Sequence, residues 1–187
     1  MIGPPRAGGL KLRPIFTVHA GEYLVACEIE SRLQDCRVWV PSKDDGIDLL
    51  VTDRECKKRA SIQVKFSKDH LAVGKDPHAS SAIKSGGWWK FDREGLEAST
   101  ADYWVLVLCD IGGRKYDYVV VRPKELANRY QKIAPNSQTI QSYFWVTHSG
   151  DCWETRGLGK GDKVAISQGK FRHPDRNFRE FLNEWPF

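Results

Sequence analysis

Long apolar runs are missing from this 187-residue chain. The longest, "YWVLVLC" at 103–109, is far too short to cross a bilayer, so no membrane-spanning role is expected. The opening stretch "MIGPPRAGGLKLRPIF" has no apolar core of signal-peptide length, and a cytoplasmic location is expected. The five cysteines, Cys27, Cys36, Cys56, Cys109 and Cys152, are odd in number, scattered and without a C-x-x-C pair. That pattern fits reduced thiols, and no two Cys or His residues sit at zinc-ligand spacing. A G-x-S-x-G elbow is absent, and "GLGKG" at 157–161 lacks the spacing of a phosphate-binding loop. Neither an internal repeat nor a low-complexity tract interrupts the chain. Charge of one sign is only mildly in excess, 29 Lys and Arg against 24 Asp and Glu, which permits a polyanionic partner without demanding one.

What remains is a chain with 41% hydrophobic and 28% charged residues, the balance of a globular protein large enough for one core. Seven Trp and six Tyr exceed what a small core needs, which leaves some to face a ligand. Residues 1–14, rich in Gly and Pro, read as an arm. "TVHAGEYLVACEIESRLQ" (17–34) predicts a helix with Thr17 as its N-cap, since Val18, Glu22, Ala26, Ile29 and Leu33 form one stripe. Strands are expected over 36–41, 46–53 and 60–67, the last two joined by the charged hairpin "DRECKKR". Residues 67–93, ending in "SGGWWKFD", read as a loop. A short helix (94–100), two strands (101–110 and 116–121) and the helix "PKELANRYQKI" follow. "YFWVTH" reads as a strand and "DRNFREFLNEW" as a closing helix with Phe178, Phe181, Leu182 and Trp185 on one side. The order predicts an α/β fold, a central mixed sheet covered by helices.

Polar residues stand where apolar ones belong. Glu22 sits inside the apolar stripe of the first helix, where a carboxylate must be desolvated or paired. In "SIQVKF", Ile62, Val64 and Phe66 alternate with Ser61, Gln63 and Lys65. Gln63 and Lys65 therefore share a face about 7 Å apart. In "GIDLLV", Asp48 lies opposite the Ile47, Leu49 and Val51 face, and the hairpin brings it beside Gln63. A carboxylate and an amide oxygen are hard donors suited to Mg²⁺. A lysine one pleat further along can steady a phosphate or act on a water.

These residues resemble the PD-(D/E)xK nuclease superfamily, the restriction-endonuclease-like fold. Its signature is a glutamate on the first helix, an aspartate at the second core strand and an acid-x-lysine pair on the third, matched in order by Glu22, Asp48, Gln63 and Lys65. The likeness spans about 15–130, with 131–187 as an extension of one domain covering 1–187. It departs from the family's signature at Ile47, which stands in place of a proline as many members tolerate, and at Gln63, which replaces the usual acid. The resemblance implies a Mg²⁺-dependent endonuclease acting on DNA, with Mn²⁺ as a substitute. Glu22, Asp48, Gln63 and Lys65 would then be catalytic, with Asp48, Gln63 and Glu22 as the metal's ligands. The loss of a negative charge at Gln63 equally suits a non-cleaving DNA-binding relative. Cutting both strands of a duplex would fit a homodimer. Lys84, Trp88, Trp89 and Lys90 around "SGGWWK", and Arg156 and Lys160 further on, are the candidate DNA contacts, with the hairpin Arg54, Lys57, Lys58 and Arg59 and Lys163 as further cations.

Overall fold

The computed structural model describes residues 19–42, 45–67, 82–110 and 115–187. Thr17, Val18, the N-terminal arm, residues 68–81 and most of the "GGRK" turn lie outside the described residues. The chain forms an α/β structure on a mixed eight-stranded sheet flanked by helices. Helix α1 (Ala20–Arg32) precedes an antiparallel meander of β1 (Cys36–Trp39), β2 (Leu49–Asp53) and β3 (Arg59–Phe66). Strand β4 (Ile83–Asp92) leads through the short α2 (Arg93–Glu97) to β5 (Tyr103–Asp110), and β6 (Tyr116–Val121) leads to α3 (Pro123–Ile133). Then come β7 (Thr139–Thr147), β8 (Cys152–Glu154) and α4 (Lys160–Ser167). No described helix is long and apolar enough to cross a membrane.

The sheet divides at β5. Strand β3 runs parallel to it along 103–107, and β6 runs antiparallel along its other edge. Where β3 stops at Phe66, β4 takes over that edge at Cys109 and Asp110, then departs with β7 and β8 as a second limb. The fork is closed by Ser67, whose hydroxyl accepts the Trp88 N–H at 2.9 Å. Because β5 is covered on both sides, its run is apolar without alternation. Tyr103, Val105 and Val107 meet Val25 and Ile29 of α1, while Trp104, Leu106 and Leu108 meet Trp89, Phe91 and Phe144 of the second limb.

Helix α1 lies unusually close to β3. A Cβ on Gly21 would sit 2.5 Å from the Phe66 Cβ, so only glycine permits this approach. The buried stripe is Gly21, Glu22, Val25 and Ile29, rotated slightly from the expected one, with Ala26 and Leu33 only partly covered. Glu22 stays on the buried side, 4% exposed.

Two expectations are corrected. "SGGWWKFD" is not a loop but most of β4, a ten-residue strand paired with β7 from Ile83 to Asp92. Its glycines hid the pattern, yet Gly87 has a packing purpose: a Cβ there would fall 2.3 Å from the Trp89 ring, which folds back along its own strand. The closing segment is not a helix either. It makes two 3-10 turns, Pro174–Arg176 and Arg179–Phe181. Its backbone bonds go to the sheet: Phe178 N–H to Cys152 O at 2.8 Å and Asn183 N–H to Tyr118 O at 2.7 Å. The segment thereby covers β6 and passes from one core to the other, Phe178 joining Trp89 and Phe144, Trp185 and Phe187 joining Tyr118 and Tyr103. Long-range burial on both faces outweighs the helical periodicity of the stretch.

Candidate functional site

Strand alternation and register decide which side chains share a face. On β3, Ile62, Val64 and Phe66 join the α1 core, so Gln63 and Lys65 point to the other face, beside Trp104 and Leu106 of β5. The last β2–β3 pair is Leu49 with Ile62, and the ladder continues one step as the Asp48 N–H donates to Ile62 O at 2.8 Å. Asp48 thus stands across from Gln63. Its carboxylate accepts the Val64 N–H at 2.7 Å, which orients it where β2 ends, and no described strand pairs with that edge of β3 beyond this point. Asp48, Gln63 and Lys65 are all half-buried.

Two neighbours constrain this cluster. Gly46, at φ +89°, lets the loop before β2 turn in close enough that a Cβ there would lie 3.8 Å from Gln63 Nε2. The Lys65 ammonium sits 4.9 Å from the centroid of the Trp104 ring, a cation–π distance. The Trp104 indole N–H is itself tied to Ser99 Oγ at 2.9 Å. Three of the expected site residues therefore come together on one face. Glu22 enters from the opposite layer, in the first turn of α1 and next to the Gly21 contact with Val64 and Phe66. Among the described residues no three His, Cys, Asp or Glu side chains gather as a metal cage. The donor chemistry present is instead one carboxylate and one side-chain amide on residues that stand across from each other, a set that suits a hard cation keeping several waters.

The expected DNA contacts fall on the second limb. Trp89 is corrected: it is 6% exposed, packs on Phe91 and Phe144, and donates its indole N–H to Lys65 O at 3.1 Å. Alternation along β4 turns Trp88 and Lys90 outward instead, with Trp88 40% exposed and paired across from Tyr143. Lys84 is engaged by the buried Asp117, its Nζ 2.7 Å from Oδ1. Ser85 Oγ at 2.5 Å and Asn183 Nδ2 at 3.0 Å complete that carboxylate's partners. Burial works to raise the Asp117 carboxyl, and these hydrogen bonds outweigh it, holding it below the usual range. Arg156 and Lys160 are exposed near the β8 end of the limb.

Glu154 is a third buried carboxylate, after Glu22 and Asp117, and periodicity did not reveal it. It accepts N–H bonds from Tyr143 at 3.3 Å and Arg156 at 3.0 Å and pairs with the Arg176 guanidinium. Burial pushes it up to about 7, against the pull of Arg176 and the two N–H groups. Trp104 was also missed as a site neighbour. Alternation in "YWVLVLC" sets its face, but the parallel pairing with β3 that puts it under Lys65 is a long-range choice. No family model matches this chain, and neither the curated proteins nor the solved structures offer a match.

Proposed function

We propose that this protein is a metal-dependent endonuclease that hydrolyses phosphodiester bonds in DNA, on a restriction-endonuclease-like core. The observation that carries the reading is the common face of Asp48, Gln63 and Lys65 at the open end of the β2–β3 ladder. Asp48 and Gln63 would hold the cation, with Glu22 contributing through water round the end of the β2–β3 ladder. A bound Mg²⁺, or Mn²⁺ in its place, supplies Lewis-acid stabilisation of the charge that builds on the phosphate. The Val64 N–H keeps the Asp48 carboxylate aimed. Lys65, steadied over Trp104, stabilises the phosphate's developing negative charge or takes part in proton transfer with the attacking water. Acting on both strands of a duplex would require two such sites, hence a homodimer. The cysteines, free in the structure, fit work in a reducing cytoplasm.

A second reading is favoured by one residue. Gln63 brings no charge to the position where an acid would strengthen cation binding, which suits a relative that binds DNA without cutting it. Supercoiled plasmid incubated with Mg²⁺ or Mn²⁺ separates the two. Cutting by the wild type, reduced about 100-fold or more in Lys65→Ala, supports the enzyme. Binding with no cutting by either protein supports the second reading.

A further inference from the structure

The face that carries Gln63 and Lys65 extends across β2 to the edge strand β1. Trp39 pairs with Leu50, which pairs with Ser61; Arg37 pairs with Thr52, which pairs with Arg59. Ser61 and Arg59 alternate in step with Gln63, so Trp39, Arg37 and Arg59 all point to the Gln63 side. Trp39 is 48% exposed, yet its ring is anchored, because the indole N–H donates to Thr52 Oγ1 at 3.1 Å. Arg37 and Arg59 are exposed, and neither forms an ion pair with a described carboxylate. The indole thus leans on Thr52, which Arg37 and Arg59 flank across the sheet, and the Asp102 carboxyl is held below its usual range by the Ser61 N–H with help from Arg59. An anchored, half-open ring with two exposed guanidinium groups beside it is complementary to a base and its adjoining phosphates. One strand spacing and two residue rises put the Trp39 and Asp48 Cα atoms about 8 Å apart, within the span of neighbouring nucleotides.

We propose that Trp39 is a stacking platform for an unpaired base of the DNA strand presented to the Asp48–Lys65 site, with Arg37 and Arg59 holding its phosphates. The inference rests on the nuclease reading for what lies at Asp48, and it specifies that substrate as single-stranded or locally opened. In a duplex the base faces are already stacked on one another. A flat ring on an open sheet therefore gains a partner only where pairing is lost. Trp88, the other exposed indole, stands on the second limb away from this face.

The test is fluorescence anisotropy with a short labelled thymidine oligonucleotide and its blunt duplex, in EDTA so that nothing is cut. The wild type is expected to bind the unpaired strand more tightly than the duplex. Trp39→Leu keeps an apolar cover over Thr52 but no ring, and should weaken unpaired-strand binding about tenfold; Trp39→Phe should retain most of it. Arg37→Ala and Arg59→Ala should each weaken both ligands and flatten the salt dependence. Equal binding by the Leu and Phe variants overturns the proposal. So does a wild-type preference for duplex, a result that holds even if a variant fails to fold. Ring-dependent binding without plasmid cutting would sink the nuclease reading alone, and cutting with ring-independent binding would sink this inference alone.

Discussion

The two limbs of the sheet treat their second faces differently. In the β4–β7–β8 limb both faces carry core residues: Trp89, Phe91 and Phe144 enter one core, while Ile83, Trp145 and Trp153 enter another with Ile166 of α4 and Phe171, and the far end of the second face stays outward at Trp88 and Lys90. The β1–β2–β3 limb buries only the face toward α1 and leaves Trp39, Arg37, Arg59 and the half-buried Asp48, Gln63 and Lys65 on the other. The contrast teaches where to look for chemistry. Buried carboxylates in or against this limb, Glu154 of β8 and Asp117 of β6 with its β4 partners Lys84 and Ser85, are engaged in holding segments together. Polar groups on the open face have solvent access and a strand edge at which a ligand can approach.

The largest test of this division is Trp89→Ala, expected to cost about 3–5 kcal/mol in urea unfolding, as a buried aromatic truncation does. Trp88→Ala should stay within about 0.5 kcal/mol of wild type, as exposed substitutions do. Similar losses from both would erase the assignment of inside and outside along β4.

Next comes Glu154. Its folded carboxyl titrates at about 7, against about 4.3 in the unfolded chain. The protonated folded form therefore contributes stability that is complete below pH 4.3 and is lost as pH rises through 7. Relative to Glu154→Gln, the wild type should lose up to about 4 kcal/mol across that window. A difference independent of pH would mean that Arg176 keeps the carboxylate ionised throughout.

The smallest effect is expected on the open face. Gln63→Glu adds a charged oxygen beside Asp48 and should tighten Mn²⁺ binding about tenfold by calorimetry, with little change in stability. Unchanged affinity would take residue 63 out of the cation's reach and narrow the candidate site to Asp48 and Lys65.

Much of the first limb was legible before any coordinates. Period-two alternation in "SIQVKF" separates Gln63 and Lys65 from Ile62, Val64 and Phe66, and the short hairpin forces Asp48 toward Gln63. Each inference needs only neighbours in the chain. The second limb was harder to read. "SGGWWKFD" has glycines where a strand would carry side chains, and the reason appears only when the Trp89 ring is seen lying over Gly87. The closing segment has helical spacing, yet its donors are taken by Tyr118 and Cys152, residues distant in sequence.

By itself, then, the amino-acid order determined the periodicities: which residues of β3 and β5 face together, and that a carboxylate rides on the buried stripe of α1. Tertiary structure alone decided that β4 would leave the sheet at Ser67, that Trp104 would lie beneath Lys65, and that Glu22 would approach from the opposite layer. The reason is physical. Backbone sterics impose local alternation, whereas the pairing of distant strands and the choice of which apolar faces meet depend on burial summed over the whole chain.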